Sequence, residues 1–403
     1  MLREPLAVGS LIFLATILIL SLPSFVAGLI VGVWHSLPGI APSLAGFALT
    51  IGVLVLCLLI LIFRKKKFPD ASIFTKYSGF LSLIPAIFII EWINNESASE
   101  TRTLLGAIVT GFLFLVTSSF RDNIPHIIWG FSTGVSIYGV GELLRIAGGG
   151  ALHLKAGAFG ANPIFASQFL GLAIFGVWLL HITKRSTPKF TLFVSSILLV
   201  CLLSALSWGP IIALAVAFLY ANTTKSSTHR LQDYRVRNRI IVWGPLLVGP
   251  VIILSRDAIK SFYYSEDSVA RLHIWQEFID LALTSPLTGV GMEKVHSFYS
   301  ISSSDKFLSP HNLFLEMWVA YGALPIFILF ATLIYLFRKI NYLGRASLIF
   351  LVICSSVSGS LAVSFNFWIG LTLVVIIGSS SLASTNQNAH SSKSRKVNKQ
   401  PAK

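Results

Sequence analysis

The sequence predicts an all-α fold: a polytopic helical bundle of about 12 transmembrane helices, with one large outer loop that carries an amphipathic helix. The first observation is compositional. Of 403 residues 54% are hydrophobic and only 12% charged, and the mean hydropathy is +0.78, whereas a soluble globular chain carries about a quarter charged residues. The second is patterning: apolar runs of roughly the 20 residues needed to cross about 30 Å of hydrocarbon recur along the chain, with Lys and Arg clustered between them. Cys57, Cys201 and Cys354 stand singly in apolar runs without CxxC spacing, which supports neither a disulfide framework nor a zinc site. No metal site and no cofactor is predicted.

In chain order the predicted spans are Leu6 to Val33, Leu44 to Phe63, Tyr77 to Ile93, Leu104 to Phe120, Ile124 to Leu144, Ile164 to Leu180, Phe190 to Leu206, Ser207 to Thr223, Ile240 to Leu254, Leu313 to Phe337, Ala346 to Val357 and Leu361 to Ile377. The first lacks a small-residue cleavage pattern before a polar domain and reads as a retained helix, not a signal peptide. The long stretch Phe190 to Thr223 is divided at Ser207-Trp208-Gly209-Pro210. Basic segments flank it on both sides, and Lys/Arg-rich loops favour the cytoplasm, so an even number of crossings lies between them. The same parity divides Ala346 to Ile377 at Ser358-Gly359-Ser360.

With both termini inside, most Lys and Arg fall on the cytoplasmic side. Only Arg102, Arg145, Lys155, Arg256, Lys260, Arg271, Lys294 and Lys306 are left outside. The net charge of +15 is thus mainly a topology signal, with contact to anionic membrane lipids in addition, and no nucleic acid is needed to explain it. Residues 1–383 form the transmembrane domain, 256–311 its large loop, and 384–403 a polar, basic cytoplasmic tail predicted to be disordered.

Inside the spans, Glu91, Glu142 and Glu316 fall near outer helix ends and the bilayer midplane is nearly empty of charge. That argues against an ion-coupled transporter, which needs ionisable partners at that depth. The outer segment Arg256 to Pro310 holds seven acids and five bases. From Ser268 it places Leu272, Trp275, Phe278, Ile279 and Ala282 on one helical face, which predicts an amphipathic helix on the outer membrane surface with Trp275 as interface anchor. Arg271, one turn earlier, reaches headgroup level, where it reads equally as a phosphate ligand or a snorkelling surface arginine. Pro286 stops the helix, and Gly289 and Gly291 permit close backbone approach. Ser309-Pro310-His311-Asn312 predicts a helix start with Ser309 as cap and His311 in the first turn, a position that favours an anionic ligand and a neutral, base-like imidazole. Taken singly, His311 also fits an ordinary first-turn histidine, Lys155 and Arg145 fit solvated or lipid-paired charges, and Glu316 fits membrane-edge structure. The acid pair Glu266-Asp267 has no His or third carboxylate in register and reads as solvated.

Together these residues resemble a known group. Arg271-x3-Trp275, Pro286-Leu287-Thr288-Gly289-Val290-Gly291, His311-Asn312-Leu313-Phe314-Leu315-Glu316 and Tyr321-Gly322 resemble, in order and spacing, the C-terminal domain shared by bacterial O-antigen ligases and O-antigen polymerases. The stretch Gly157 to Pro163, with Asn162 before a helix, is similar to that family's segment preceding its middle helices. The resemblance covers roughly Leu152 to Phe337.

It implies a multi-pass protein of the bacterial inner membrane that transfers a glycan from undecaprenyl diphosphate to an acceptor on the periplasmic face, without metal or nucleotide sugar. Arg271 matches the family arginine assigned to the diphosphate, and His311 its essential histidine. Where the family usually carries Ser-Arg-Gly between the two middle helices, this chain has Ser207-Trp208-Gly209. Lys155 or Arg145 would then supply the second cation. Fixed cations on the departing pyrophosphate contribute roughly two to three orders of magnitude each, and a general base, here His311, roughly two to four. Asn312, Glu316, Trp275, Asn162, Gly289 and Gly291 are the supporting residues. The acceptor is lipid A core for a ligase, or another glycan for an O-antigen or exopolysaccharide polymerase. The helix count also fits a transporter or flippase for lipid-linked glycans, and Trp208 a catalytically impaired assembly partner.

Overall fold

The computed structural model describes residues 19–33, 44–65, 71–94, 99–118, 124–148, 163–204, 208–224, 266–295, 312–358 and 365–379, and no strand occurs among them. The principal helices are α1 (Pro23–Gly32), α2 (Leu44–Lys65), α3 (Ala71–Leu81), α4 (Leu83–Asn94), α5 (Ser99–Ser118), α6 (Ile124–Ala147), α7 (Pro163–Ile182), α8 (Pro188–Ser204), α9 (Trp208–Thr223), α10 (Glu266–Thr284), α11 (Leu313–Tyr321), α12 (Ala323–Lys339), α13 (Tyr342–Ser358) and α14 (Phe365–Ser379). The all-α prediction is met. The span Ile240 to Leu254, the residues Lys155, Asn162 and His311, and the tail 384–403 lie outside the described residues. For Arg271 and Trp208 only the backbone is described.

Two segments, Tyr77–Asn94 and Ile124–Arg145, are long and apolar enough to cross a bilayer unaided, and the other apolar helices found by the same measure among the described residues run 10–17 residues. Large apolar side chains stand outward, Trp92 at 82%, Phe63 at 77% and Phe327 at 71% exposure, as hydrocarbon-facing surfaces require and water-facing ones rarely tolerate in patches.

The helix ends sort onto two faces. Trp129 at the start of α6 meets Phe190 at the start of α8, Trp178 at the end of α7 meets Phe218 in α9, and Tyr220 meets Phe337 at the end of α12. At the same face Arg345 Nε of α13 donates to the carbonyls of Phe337 at 2.9 Å and Ile340 at 3.1 Å, so a cation caps the negative end of α12. The amide of Asn341 donates to Gly378 of α14 at 3.0 Å. This makes α13 and α14 an antiparallel hairpin, as the parity division required. Arg64, Lys184, Arg185, Lys189, Arg338 and Lys339 share this basic face; Asn94, Thr101 and Arg145 end on the other.

Three predicted spans differ from the structure. Leu6 to Val33 is not one helix: Leu22 leaves the helical region (φ −131°, ψ 57°) and α1 starts at Pro23, because proline lacks the amide that would continue the ladder and suits a helix start. The third span, Tyr77 to Ile93, bends at Ser82 between α3 and α4, where Pro85 removes the bond to the carbonyl of Leu81. Leu313 to Phe337 turns back on itself at Gly322 (φ 75°, ψ −167°). Phe314 of α11 stacks on Phe330 of α12, centroids 5.2 Å apart, so the two helices form a V with Gly322 at its apex.

Helix α1 packs closely on α6. Gly28-x3-Gly32 faces Gly130-x3-Gly134, and a Cβ at Gly130 would meet the carbonyl of Phe25, one at Gly28 the carbonyl of Ile127. Two small-x3-small stripes in contact let the backbones approach and gain dispersion contacts where no hydrophobic driving force separates helix from lipid.

Candidate active site

The glycine loop, the Tyr-Gly pair and the helix that carries Arg271 meet at one place. The break at Gly322 leaves the last carbonyls of α11 and the first amides of α12 without helical partners. Loop 286–291 supplies them. Val290 N–H donates to the carbonyl of Val319 at 2.8 Å, and Gly291 N–H to that of Ala320 at 3.1 Å. In return the carbonyl of Pro286 accepts from Ala323 N–H at 2.9 Å and from the Trp318 indole at 3.3 Å. Gly289 (φ 70°) and Gly322 (φ 75°) lie against each other's backbone: a Cβ at Gly289 would stand 2.6 Å from Tyr321 N, and one at Gly322 2.6 Å from Gly289 N. Only glycine combines positive φ with this approach. Asn94 Nδ2 of α4 donates to Thr288 at 3.3 Å, and Thr101 of α5 bonds Tyr321 at 2.8 Å, tying this knot to the bundle.

Both α10 and α11 end at the knot and pack on one another. At 1.5 Å per residue Asn312 lies about 12 Å, and position 271 about 20 Å, from it along their helices. The packed face of α10 is Ile274, Phe278 and Ala282, all buried. Position 271 falls three and seven residues before the first two, on that face in register. Trp275 is half-buried. Contrary to the predicted stripe, Ile279 is 40% exposed. It continues with Leu283 and Leu287 as a second, outward apolar edge, because α10 leans on α11 through Ile274, a residue one position from the stripe that periodicity favoured.

Asn312 caps α11: its Oδ1 accepts from the amides of Phe314 and Leu315, each at 3.1 Å, with extended backbone (φ −133°, ψ 101°). This corrects the expectation of Ser309 as cap and His311 in the first turn. An amide oxygen two and three residues before those donors is the better acceptor, and His311 directly precedes it. Because of the V, this helix start stands beside the middle of α12 and close to the start of α14, where Phe367 contacts Phe314 at 6.2 Å. Glu316, one turn into α11, is buried.

Residues 167–331 match the family model described as O-antigen ligase. This stretch is similar to the domain shared by the O-antigen ligase and polymerase superfamily. Among curated proteins none matches the chain. Members of the superfamily are membrane-integral, glycosyltransferase-like enzymes of bacteria that work on lipid-linked glycans and acceptors. The O-antigen ligase match runs from α7 into α12 and so takes in α10, the knot and α11.

Upstream of the ligase stretch, Arg145 is engaged with Glu142: Nη2 donates to Oε1 at 2.5 Å and Nε to Oε2 at 3.1 Å. Glu142 is 2% exposed, so the pair is a bidentate bridge at the end of α6 opposite the basic face. The Glu-x2-Arg spacing announces it, yet sequence reasoning read Arg145 as a substrate cation or as a solvated or lipid-paired charge. We expect Arg145→Ala to lower the melting temperature of the purified protein, since the buried carboxylate loses its guanidinium. Adding Glu142→Gln should restore part of the loss; additive losses in that double-variant cycle would refute a coupled pair. Asn94 and Thr101 are the other positioning residues missed, and nothing local in the sequence marks their pairing with Thr288 and Tyr321.

Proposed function

We propose that this chain is a metal-independent membrane glycosyltransferase that moves an undecaprenyl diphosphate-linked glycan onto lipid A core at the periplasmic face of the inner membrane. The observation that carries this reading is that the O-antigen ligase match includes the knot that packs the Arg271 helix beside the helix preceded by His311. In the reaction the acceptor hydroxyl attacks the anomeric carbon, the bond to the diphosphate breaks, and the hydroxyl proton passes to His311. Arg271, with Lys155 and Arg145, holds the departing undecaprenyl diphosphate, and a fixed cation aimed at that charge needs no reorganisation as it develops.

The sorting of helix ends supports the accompanying topology of twelve crossings over residues 1–383, with both termini and the 384–403 tail cytoplasmic and loop 256–311 periplasmic. The basic ends share one face, and the knot lies on the other.

The test is a gel profile of surface glycolipids from a deletion strain together with its pool of undecaprenyl-linked glycan. Loss of long chains from lipid A while polymer accumulates on the carrier identifies a ligase. A core bearing a single repeat unit instead of a ladder identifies a polymerase, and an unchanged profile with an unchanged pool sinks both.

A further inference from the structure

The basic face holds a cavity of about 180 Å³ between the start of α1, the end of α2 and the start of α6, and Ser21, Leu22, Ser24, Phe25, Arg64 and His126 are among the residues that line it. The break at Leu22 creates it. Because α1 begins there without a side-chain cap, the first-turn amides of Ser24 and Phe25 have no helical acceptor. Ser24 is 95% buried, being 5% exposed, and its hydroxyl lines the cavity with no hydrogen-bond partner among the described residues. Arg64 donates one bond, Nη1 to the carbonyl of Ser21 at 3.3 Å, and no described carboxylate pairs with it. It opens the run Arg64-Lys65-Lys66-Lys67. His126, exposed at the start of α6, completes the rim, while Phe25 and Leu22 supply an apolar wall.

We infer that this cavity binds a phosphate ester. A guanidinium that spends one N–H on the Ser21 carbonyl, a hydroxyl and helix N-terminal amides stand at one mouth, and phosphate oxygens match the donors that remain. The mouth opens among the basic helix ends, so the headgroup of an anionic phospholipid in that leaflet and a soluble phosphate are the two sources of this chemistry. The site is remote from the knot and does not rest on the proposed glycan transfer.

The full-length protein, in nanodiscs of phosphatidylcholine with increasing phosphatidylglycerol, is examined by native mass spectrometry for retained lipid. In a second arm inorganic phosphate is titrated into pure phosphatidylcholine nanodiscs and thermal unfolding is followed. Losing one charge-assisted contact should weaken binding about tenfold in Arg64→Gln, and Ser24→Ala should weaken it less. Arg64→Lys should recover part of the loss. Arg185→Gln, an exposed cation on the same face, should leave it unchanged. Arg64-dependent retention of phosphatidylglycerol assigns the site to a lipid headgroup; Arg64-dependent stabilisation by inorganic phosphate alone assigns it to a soluble phosphate. Binding that Arg64→Gln and Ser24→Ala leave untouched, or no binding of either probe, overturns the inference. Arg64 is exposed, so its replacement leaves the core intact, and Ser24→Ala carries the test independently.

Discussion

His311→Ala and Arg271→Ala should each abolish transfer of glycan to lipid A while the protein stays in the membrane at its usual abundance. Loss of a general base costs roughly 10²- to 10⁴-fold, and loss of a fixed cation at the leaving group roughly 10²- to 10³-fold. Either loss removes the ladder on a gel. Arg271→Lys keeps the charge but not the planar fork that meets two phosphate oxygens, so it should retain partial activity. Immunoblotting of membranes alongside the glycolipid gel separates lost chemistry from lost protein. A normal ladder in both alanine variants removes these residues from the mechanism.

Gly289→Val and Gly322→Val should be the most damaging substitutions outside the reacting groups. Each forces a β-branched side chain into positive φ, at about 1–2 kcal/mol, and drives a Cβ into backbone that cannot move aside, at about 1–3 kcal/mol more. The bonds from Val290 and Gly291 to the end of α11 then fail together. We expect a clear drop in melting temperature in detergent and loss of transfer, since α10 no longer has a fixed position on α11. Gly52→Ala is the control: a Cβ there meets open space, and alanine is the better helix former. A Gly289→Val protein as stable and active as the Gly52→Ala control would show that the knot does not position the site.

The knot was half legible. Pro286, Gly289 and Gly291 are visible in the sequence as a chain break and Tyr321-Gly322 only as a motif, but that the loop supplies the hydrogen bonds missing at Gly322 is a fact of space. Asn94 and Thr288 are 194 positions apart, and Thr101 and Tyr321 220, so no window along the chain contains either pair. Apolar runs located the helices well because hydropathy is additive over a window. They located the breaks poorly, since one Leu22-Pro23 or Gly322 hardly alters a window average. The face of α10 was misjudged at Ile279 for a related reason: the helix has two apolar edges, and periodicity alone does not say which one meets α11. Asn312 was read as part of a first turn because Ser309-Pro310 is itself a good helix start, and only the amide directions decide between them.

The glycine seam between α1 and α6 has a consequence for biogenesis. Gly28 and Gly130 stand roughly a hundred residues apart, which at about 5–20 residues per second is about 5–20 s of synthesis. α1, at 10 residues, is about 15 Å long and too short to span the hydrocarbon. Throughout that interval it has no α6 to lie against, so the amino-terminal part of the chain must be held by the insertion machinery or by lipid until the fifth predicted span emerges. The order of translation thereby makes α6 the element that closes the first half of the bundle.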